Sequence, residues 1–253
     1  MLEILYRDDH LVAVHKPAGL LVHRSDLDRH ETRFAVQLLR DQIGRHVQPL
    51  HRLDKGTSGV LLFALDTESA RKVGIQFERD EVAKRYLAIV RGWPPECGLI
   101  DHALSRRFDD YGRKLAPEDR PPALAATTAF RRLAIAEIAE PVDRYPQARY
   151  ALLELMPKTG RQHQLRRHLK HIAHPIIGDA TWGKGVHNRF FQHRFGCNRL
   201  LLACTRLELH HPRSGLPLRI NAPPEAGFAA VAAALGWSEG LAPPEVGAGA
   251  TAI

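Results

Sequence analysis

Short apolar runs punctuated by turn signals recur along almost the whole chain, and they restrict its fold more than any other feature. Leu2 to Tyr6 and Leu11 to His15 flank an acidic turn, Arg7-Asp8-Asp9-His10. Gln48 to Leu53, Val60 to Leu65 and Val82 to Val90 come next. Residues 124–138, residues 147–156, Leu200 to Leu209 and Leu216 to Ile220 complete the set. Runs of this length, bounded by Gly, Pro, Asp and Ser, suit strands of a buried sheet. Helical spacing is confined to a few places. Residues 31–43 carry Phe34, Leu38 and Leu39, and a segment capped by Asp66 or Thr67 places Ala70, Val73, Gly74 and Phe77 on one face. Residues 161–172 read as a strongly basic helix with a narrow stripe of Leu165, Leu169 and Ile172, and Ala226 to Leu235 as a closing helix. The expectation is one compact α/β domain over residues 1–237. Residues 98–122, charged and proline-terminated, are expected as a surface excursion, and residues 238–253 as a disordered tail.

Composition narrows the class. The chain has 253 residues, 44% apolar and 25% charged, which is ordinary for a globular protein with a proper core. No apolar run is long enough to cross a bilayer, and the N-terminus lacks the pattern of a signal peptide, so a cytoplasmic protein is expected. Cys97, Cys197 and Cys204 form no C-x-x-C pair and are expected as reduced thiols, with neither disulfide frame nor zinc ribbon. The formal charge of +8 comes largely from arginine and suggests a polyanionic partner.

Two segments carry candidate chemistry. In His51-Arg52-Leu53-Asp54-Lys55-Gly56-Thr57-Ser58-Gly59 a carboxylate next to an arginine stands at a strand end before a Gly-rich loop. Alone, this reads as a solvated surface ion pair. It is not a kinase catalytic loop: Leu53 separates Arg52 from Asp54, and no phosphate loop or Asp-Phe-Gly accompanies it. A zinc hydrolase is disfavoured because no H-E-x-x-H occurs, and His163, His168, His171 and His174 offer no i, i+4 pair. A methyltransferase is disfavoured because no Gly-rich nucleotide turn follows a strand. The second segment, Lys158-Thr159-Gly160-Arg161-Gln162-His163-Gln164-Leu165-Arg166-Arg167-His168-Leu169, opens a helix bearing cations. Such a terminus attracts phosphate or carboxylate.

Together the segments resemble the RluA-type family of pseudouridine synthases. HRLDxxTSG followed about a hundred residues later by TGRxHQLRxHL is its pattern. LYRDDHLVAVHKPAGLLVH at the start, AKRYLAIVRG at 83–92 and HPIIGDATWG at 174–183 resemble further family segments. HRSDLDRHE at 23–31, LRDQIG at 39–44 and PKTGRQHQLRRHLKHIAHPIIGD at 157–179 are similar to a branch of that family that acts on tRNA at position 65, in the T-arm stem. The chain departs from the pattern at Gln162, where Thr or Ser is common, and at Ala203-Cys204, where His-Ala is usual.

The resemblance implies a pseudouridine synthase fold, a largely antiparallel mixed sheet with flanking helices and a central cleft. It implies an isomerase that needs no metal and no cofactor, and a monomer whose partner is RNA, tRNA first, rather than DNA or a membrane. Ribosomal RNA as substrate, and a non-catalytic RNA-binding protein on the same scaffold, stay open as alternatives. By resemblance Asp54 is the catalytic carboxylate, and its attack on sugar or base, or prior proton removal, is left open. Arg166 is its cationic partner, which matters because burial raises a carboxylate's pKa and a nearby guanidinium lowers it. Tyr86 matches the aromatic that stacks on a flipped base, and Arg52 the residue that takes that base's place in the helix. Leu165 and Leu200 are expected to line the pocket, and Arg161 and Arg167 to bind RNA.

Overall fold

A computed structural model describes residues 1–23, 32–109 and 113–241. The segment 24–31, which includes most of the HRSDLDRHE motif, residues 110–112 of the excursion and residues 242–253 of the expected tail lie outside the described residues.

The apolar runs form one mixed sheet. Its strands are β1 (Glu3–Arg7), β2 (Leu11–Lys16), β3 (Gln48–Pro49), β4 (Ser58–Ala64), β5 (Ala83–Arg91), β6 (Cys97–Asp101), β7 (Thr127–Ile138), β8 (Ala148–Pro157), β9 (Leu202–His210) and β10 (Pro217–Asn221). The order is β1-β2-β4-β9-β5-β8-β7-β6, with β3 beside β4 and β10 beside β9. Among the described residues, these strands pair antiparallel except for β4–β9, which is parallel and short, matching Ser58 to Ala203 and Gly59 to Cys204.

The central strands are apolar on both faces because both faces are covered. On β5, Tyr86, Ala88 and Val90 belong to one core and Leu87 and Ile89 to the other. On β8, Leu153 and Leu155 alternate in the same way with Tyr150 and Leu152. The first core takes side chains from α1 (Ala35–Ile43), α2 (Thr67–Glu78) and α3 (Gln164–His171). The second takes Phe191 from α4 (Gly185–Phe195) and Phe228 and Val231 from α5 (Ala226–Ala234). Asp66 caps α2 by accepting from the Ser69 amide at 2.8 Å.

Four elements differ from expectation. The strand expected to reach Leu53 stops at Pro49. His51 Nε2 accepts from the Leu62 amide at 3.1 Å, so a side chain takes over the ladder bond. The basic helix starts at Gln164, because Arg161 to His163 form its entry turn and His163 has φ 54°. The excursion begins as strand β6 on the sheet edge. The C-terminal segment continues past Trp237 as a 3-10 turn, Ser238–Leu241, with Leu241 packed on the second core.

Candidate active site

Asp54 and Arg166 lie 112 residues apart and meet where β4 runs beside β9. The loop carrying Asp54 is braced from below by Lys16. The Lys16 ammonium is fully buried and donates to the carbonyls of Pro17 at 2.9 Å, Leu20 at 2.7 Å and Lys55 at 3.2 Å. Burial pulls its pKa down to about 7, against the opposing charges of Glu225 and Asp54. The Gly19 amide adds a bond to the Lys55 carbonyl at 2.7 Å, so the Lys-Pro-Ala-Gly turn and the Asp54 loop are one unit. Beyond the loop Gly59 has φ 111°, and a Cβ there would stand 2.0 Å from the Cys204 carbonyl oxygen. Only glycine allows β4 to approach β9 so closely.

The entry to α3 is knitted by Gln164. Its carbonyl oxygen accepts from Thr159 Oγ1 at 2.7 Å and from the Arg161 amide at 2.9 Å. Its amide donates to the Thr127 carbonyl at 3.1 Å and to Thr128 Oγ1 at 3.0 Å. This turn sets Arg166 one helical turn along, facing Asp54.

Arg166 Nη1 donates to Asp54 Oδ2 at 2.9 Å. Its other edge is held in a two-point grip, Nε to Asp179 Oδ2 at 2.7 Å and Nη2 to Asp179 Oδ1 at 2.9 Å. Asp179 is 1% exposed and also accepts from the amides of Thr181 and Trp182, both at 2.9 Å. Burial pushes its carboxyl up, but the Arg166 hydrogen bond and charge and the two amides outweigh that and hold it below the usual carboxylate range. Burial likewise penalises the Arg166 cation, and its bonds to Asp179 and the charge of Asp54 more than compensate, so its pKa is raised. Asp179 thus fixes the guanidinium, and Asp54, 23% exposed, is the carboxylate left open to the cleft. Sequence reasoning did not single out Asp179. It lies in the quoted segment 174–183, but only its distance to Arg166 shows what it does.

Asp54 borders two cavities. One, of about 740 Å³, is lined by Tyr86, Leu165, Leu202, Thr57, Arg161 and Arg166 among others. The second, of about 690 Å³, runs along the Ala18-Gly19 turn to Asp179, Arg199 and Leu200. Arg52, Asp54, Gln162, His163 and Arg166 line both. Tyr86 is buried and hydrogen-bonded to Cys204. Burial, then the neighbouring Cys204 and Asp54, raise its hydroxyl pKa well above 10. Cys204, the departure from the family pattern, is pushed by burial to about 12 and stays a thiol.

Leu200 lines the second cavity, and Arg167 lines neither. Leu200 packs over Gly56 in the second cavity, and Leu202, two residues on along the same strand direction, is the leucine beside Tyr86. Arg167 is buried. It donates to the Ser105 carbonyl at 2.8 Å and lies 5.5 Å from the Trp182 ring, so it braces the excursion instead of facing outward. Arg161 is exposed at the cavity rim, with Nε on the Ala125 carbonyl at 3.1 Å, and Arg52 is exposed at the meeting of the cavities. Gln162 holds the excursion, accepting from the amides of Arg107 and Phe108 and donating to the Phe108 carbonyl. His168 is buried between Thr128 and the His102 carbonyl, and His174 bonds the Arg91 carbonyl.

Residues 10–171 match the model of the RNA pseudouridylate synthase family. The chain belongs to this family. It is 49% identical over 241 residues to tRNA pseudouridine synthase C of Vibrio cholerae, covering 95% of this chain and 98% of that protein. It is 51% identical over 243 residues to the protein of the same name from Salmonella typhi, covering 96% and 93%. Among solved structures, Human RNA Pseudouridylate Synthase Domain Containing 1 superposes with a TM-score of 0.68 at 26% identity, covering 88% of this chain and 84% of that one. Human RNA Pseudouridylate Synthase Domain Containing 4 gives 0.67 at 26% identity, covering 92% of each. The large, mostly antiparallel mixed sheet with flanking helices is therefore the fold that the motifs implied.

Proposed function

We propose that the chain isomerises a uridine of tRNA to pseudouridine, at position 65 in the T-arm stem, with Asp54 as the catalytic carboxylate. The relatives of nearly equal length named for tRNA support the substrate class. The observation that carries the mechanism is the Arg166–Asp54 contact of 2.9 Å at the wall of a cavity shared with Tyr86.

The reaction breaks the N1–C1′ bond, turns the uracil and forms a C5–C1′ bond. The C5 proton is lost and N1 gains one, so atoms and electrons balance within the nucleotide. A positioned, ionised carboxylate can open that sequence as nucleophile or base. Arg166 supplies the compensating charge and is itself prevented from swinging away by Asp179. The target base has to leave its stack, at a cost of a few kcal/mol. Tyr86 offers its ring face for stacking, Leu165 and Leu202 offer apolar walls, and Arg52 at the cavity mouth takes the space that the base vacates. Arg161 at the rim contacts the RNA backbone. The +8 formal charge favours the encounter.

Transcripts of tRNA and ribosomal RNA carrying tritium at uracil C5 test the substrate. Release from tRNA at position 65 is expected. Release from ribosomal RNA alone would overturn the tRNA reading while leaving the chemistry intact.

A further inference from the structure

His163 sits between the two cavities and faces Asp54, with Nε2 3.9 Å from Asp54 Oδ1, the oxygen that Arg166 does not hold. Its other nitrogen, Nδ1, receives the Trp182 indole N–H at 3.2 Å. An indole only donates, so Nδ1 has to be the unprotonated, accepting nitrogen. The proton of a neutral imidazole then resides on Nε2, directed at Asp54. Protonation of the ring would set two N–H groups against each other at Trp182.

Several contacts keep the ring in this pose. The Phe108 ring lies 5.5 Å away, and Phe108 is itself held by Gln162 through both amide directions. Trp182 is buried and is surrounded by Arg107, Arg167 and Lys170 at 5.3–5.5 Å from its ring. The His163 backbone is left-handed, φ 54° and ψ 30°, immediately before α3. A non-glycine residue in that region carries a cost, which is tolerated where the surrounding structure fixes it.

We propose that His163 is a positioning residue for Asp54: held as the Nε2–H tautomer by Trp182, it donates to Asp54 Oδ1 when the flipped base closes the site. This rests on Asp54 being the reacting carboxylate. Arg166 on Oδ2 and His163 on Oδ1 then fix both oxygens and the plane of the carboxylate. The 3.9 Å separation in the free protein matches the way catalytic hydrogen bonds tighten only in the complex. The charged groups around the imidazole are Asp54, Arg166, Asp179 and Arg52. Burial is the largest influence and holds His163 below its ordinary pKa, with Asp54 and Asp179 opposing and Arg166 and Arg52 reinforcing.

Two readouts test this. First, ¹⁵N NMR of the labelled wild-type protein reports the His163 tautomer at neutral pH. Nε2–H is expected, and Nδ1–H overturns the proposal without any variant. Second, kcat and KM on tRNA are measured for His163→Ala, His163→Gln and Trp182→Phe, each checked for a native urea transition. His163→Ala lowers kcat roughly ten- to hundred-fold, the range for losing a hydrogen bond to a charged group, with KM little changed. His163→Gln keeps an N–H donor and recovers most of the loss. Trp182→Phe removes the donor that selects the Nε2–H tautomer, so an Nδ1–H population appears in the ¹⁵N spectrum and kcat falls. Wild-type kcat in His163→Ala, no recovery in His163→Gln, or an unchanged tautomer with wild-type kcat in Trp182→Phe overturns the proposal. If Asp54→Asn is inert while the His163 variants behave as wild type, this inference alone falls. If Asp54→Asn is active, the mechanism beneath it falls as well.

Discussion

Asp179 grips Arg166 at two points, 2.7 and 2.9 Å, and leaves the guanidinium one free edge for Asp54. The buried carboxylate positions the cation, and the cation positions the partly exposed carboxylate. Asp179→Asn removes the anchor but not the shape. Its loss is expected to cost about 3 kcal/mol of stability, as for breaking a buried pair, and to lower kcat roughly a hundred-fold through misplacement of Arg166. Urea denaturation and single-turnover kinetics measure the two effects. Unchanged kcat would mean that Arg166 does not depend on Asp179.

In the proposed mechanism Tyr86 acts through its ring and not through ionisation. Burial holds its hydroxyl protonated well above 10, so it contributes no alkaline limb below that pH. The pH profile of kcat for Tyr86→Phe is expected to superpose on wild type between pH 7 and 10. Tyr86→Ala loses the stacking surface, worth about 1–3 kcal/mol per base, and drops kcat/KM accordingly.

Gly59 is where the sheet changes direction. Gly59→Ala places a methyl group against the Cys204 carbonyl at a position with φ 111°. A destabilisation of about 3 kcal/mol or more is expected by urea denaturation, with β4 and β9 forced apart. Ala substitution at Gly74, where nothing lies within 4 Å, serves as the control and is expected to be neutral or stabilising.

Stability should fall on mild acidification. His187 is 4% exposed, and its pKa is pulled down to about 4 by burial and then by Arg91. The unfolded chain takes up a proton near pH 6.5 while the native state refuses it until about 4. Its contribution is therefore complete above 6.5 and is lost as pH falls through that window, at a limiting slope of about 1.4 kcal/mol per pH unit. Urea midpoints at pH 7.5, 6 and 5 follow it, and His187→Gln flattens the slope.

The strands were legible because both faces of β5 and β8 are buried, so their centres appear as near-continuous apolar runs whatever their partners. Pairing order was not legible: β4 and β9 are far apart in sequence, and their parallel contact spans only two residue pairs. Helix α4 escaped notice because its buried residues, His187 and Phe191, make no clear apolar stripe among His, Asn, Arg and Gln. Asp54, Tyr86 and Arg166 were picked out by motif resemblance, and the fold brings them to one cavity. Asp179 and His163 needed the fold, since a carboxylate thirteen residues from an arginine and a histidine beside a tryptophan mean nothing until their atoms meet. The placement of Arg167 was not legible for the opposite reason: a basic run looks solvated, yet adjacent positions on α3 point in different directions, and this one points inward at Ser105 and Trp182.

In the proposed mechanism every other role depends on Asp54 carrying the reaction. Tritium release from C5-labelled tRNA by Asp54→Asn, measured beside tRNA binding by the same variant, tests it most directly. No release above background is expected, while binding stays within a few-fold of wild type. Release at the wild-type rate would contradict it.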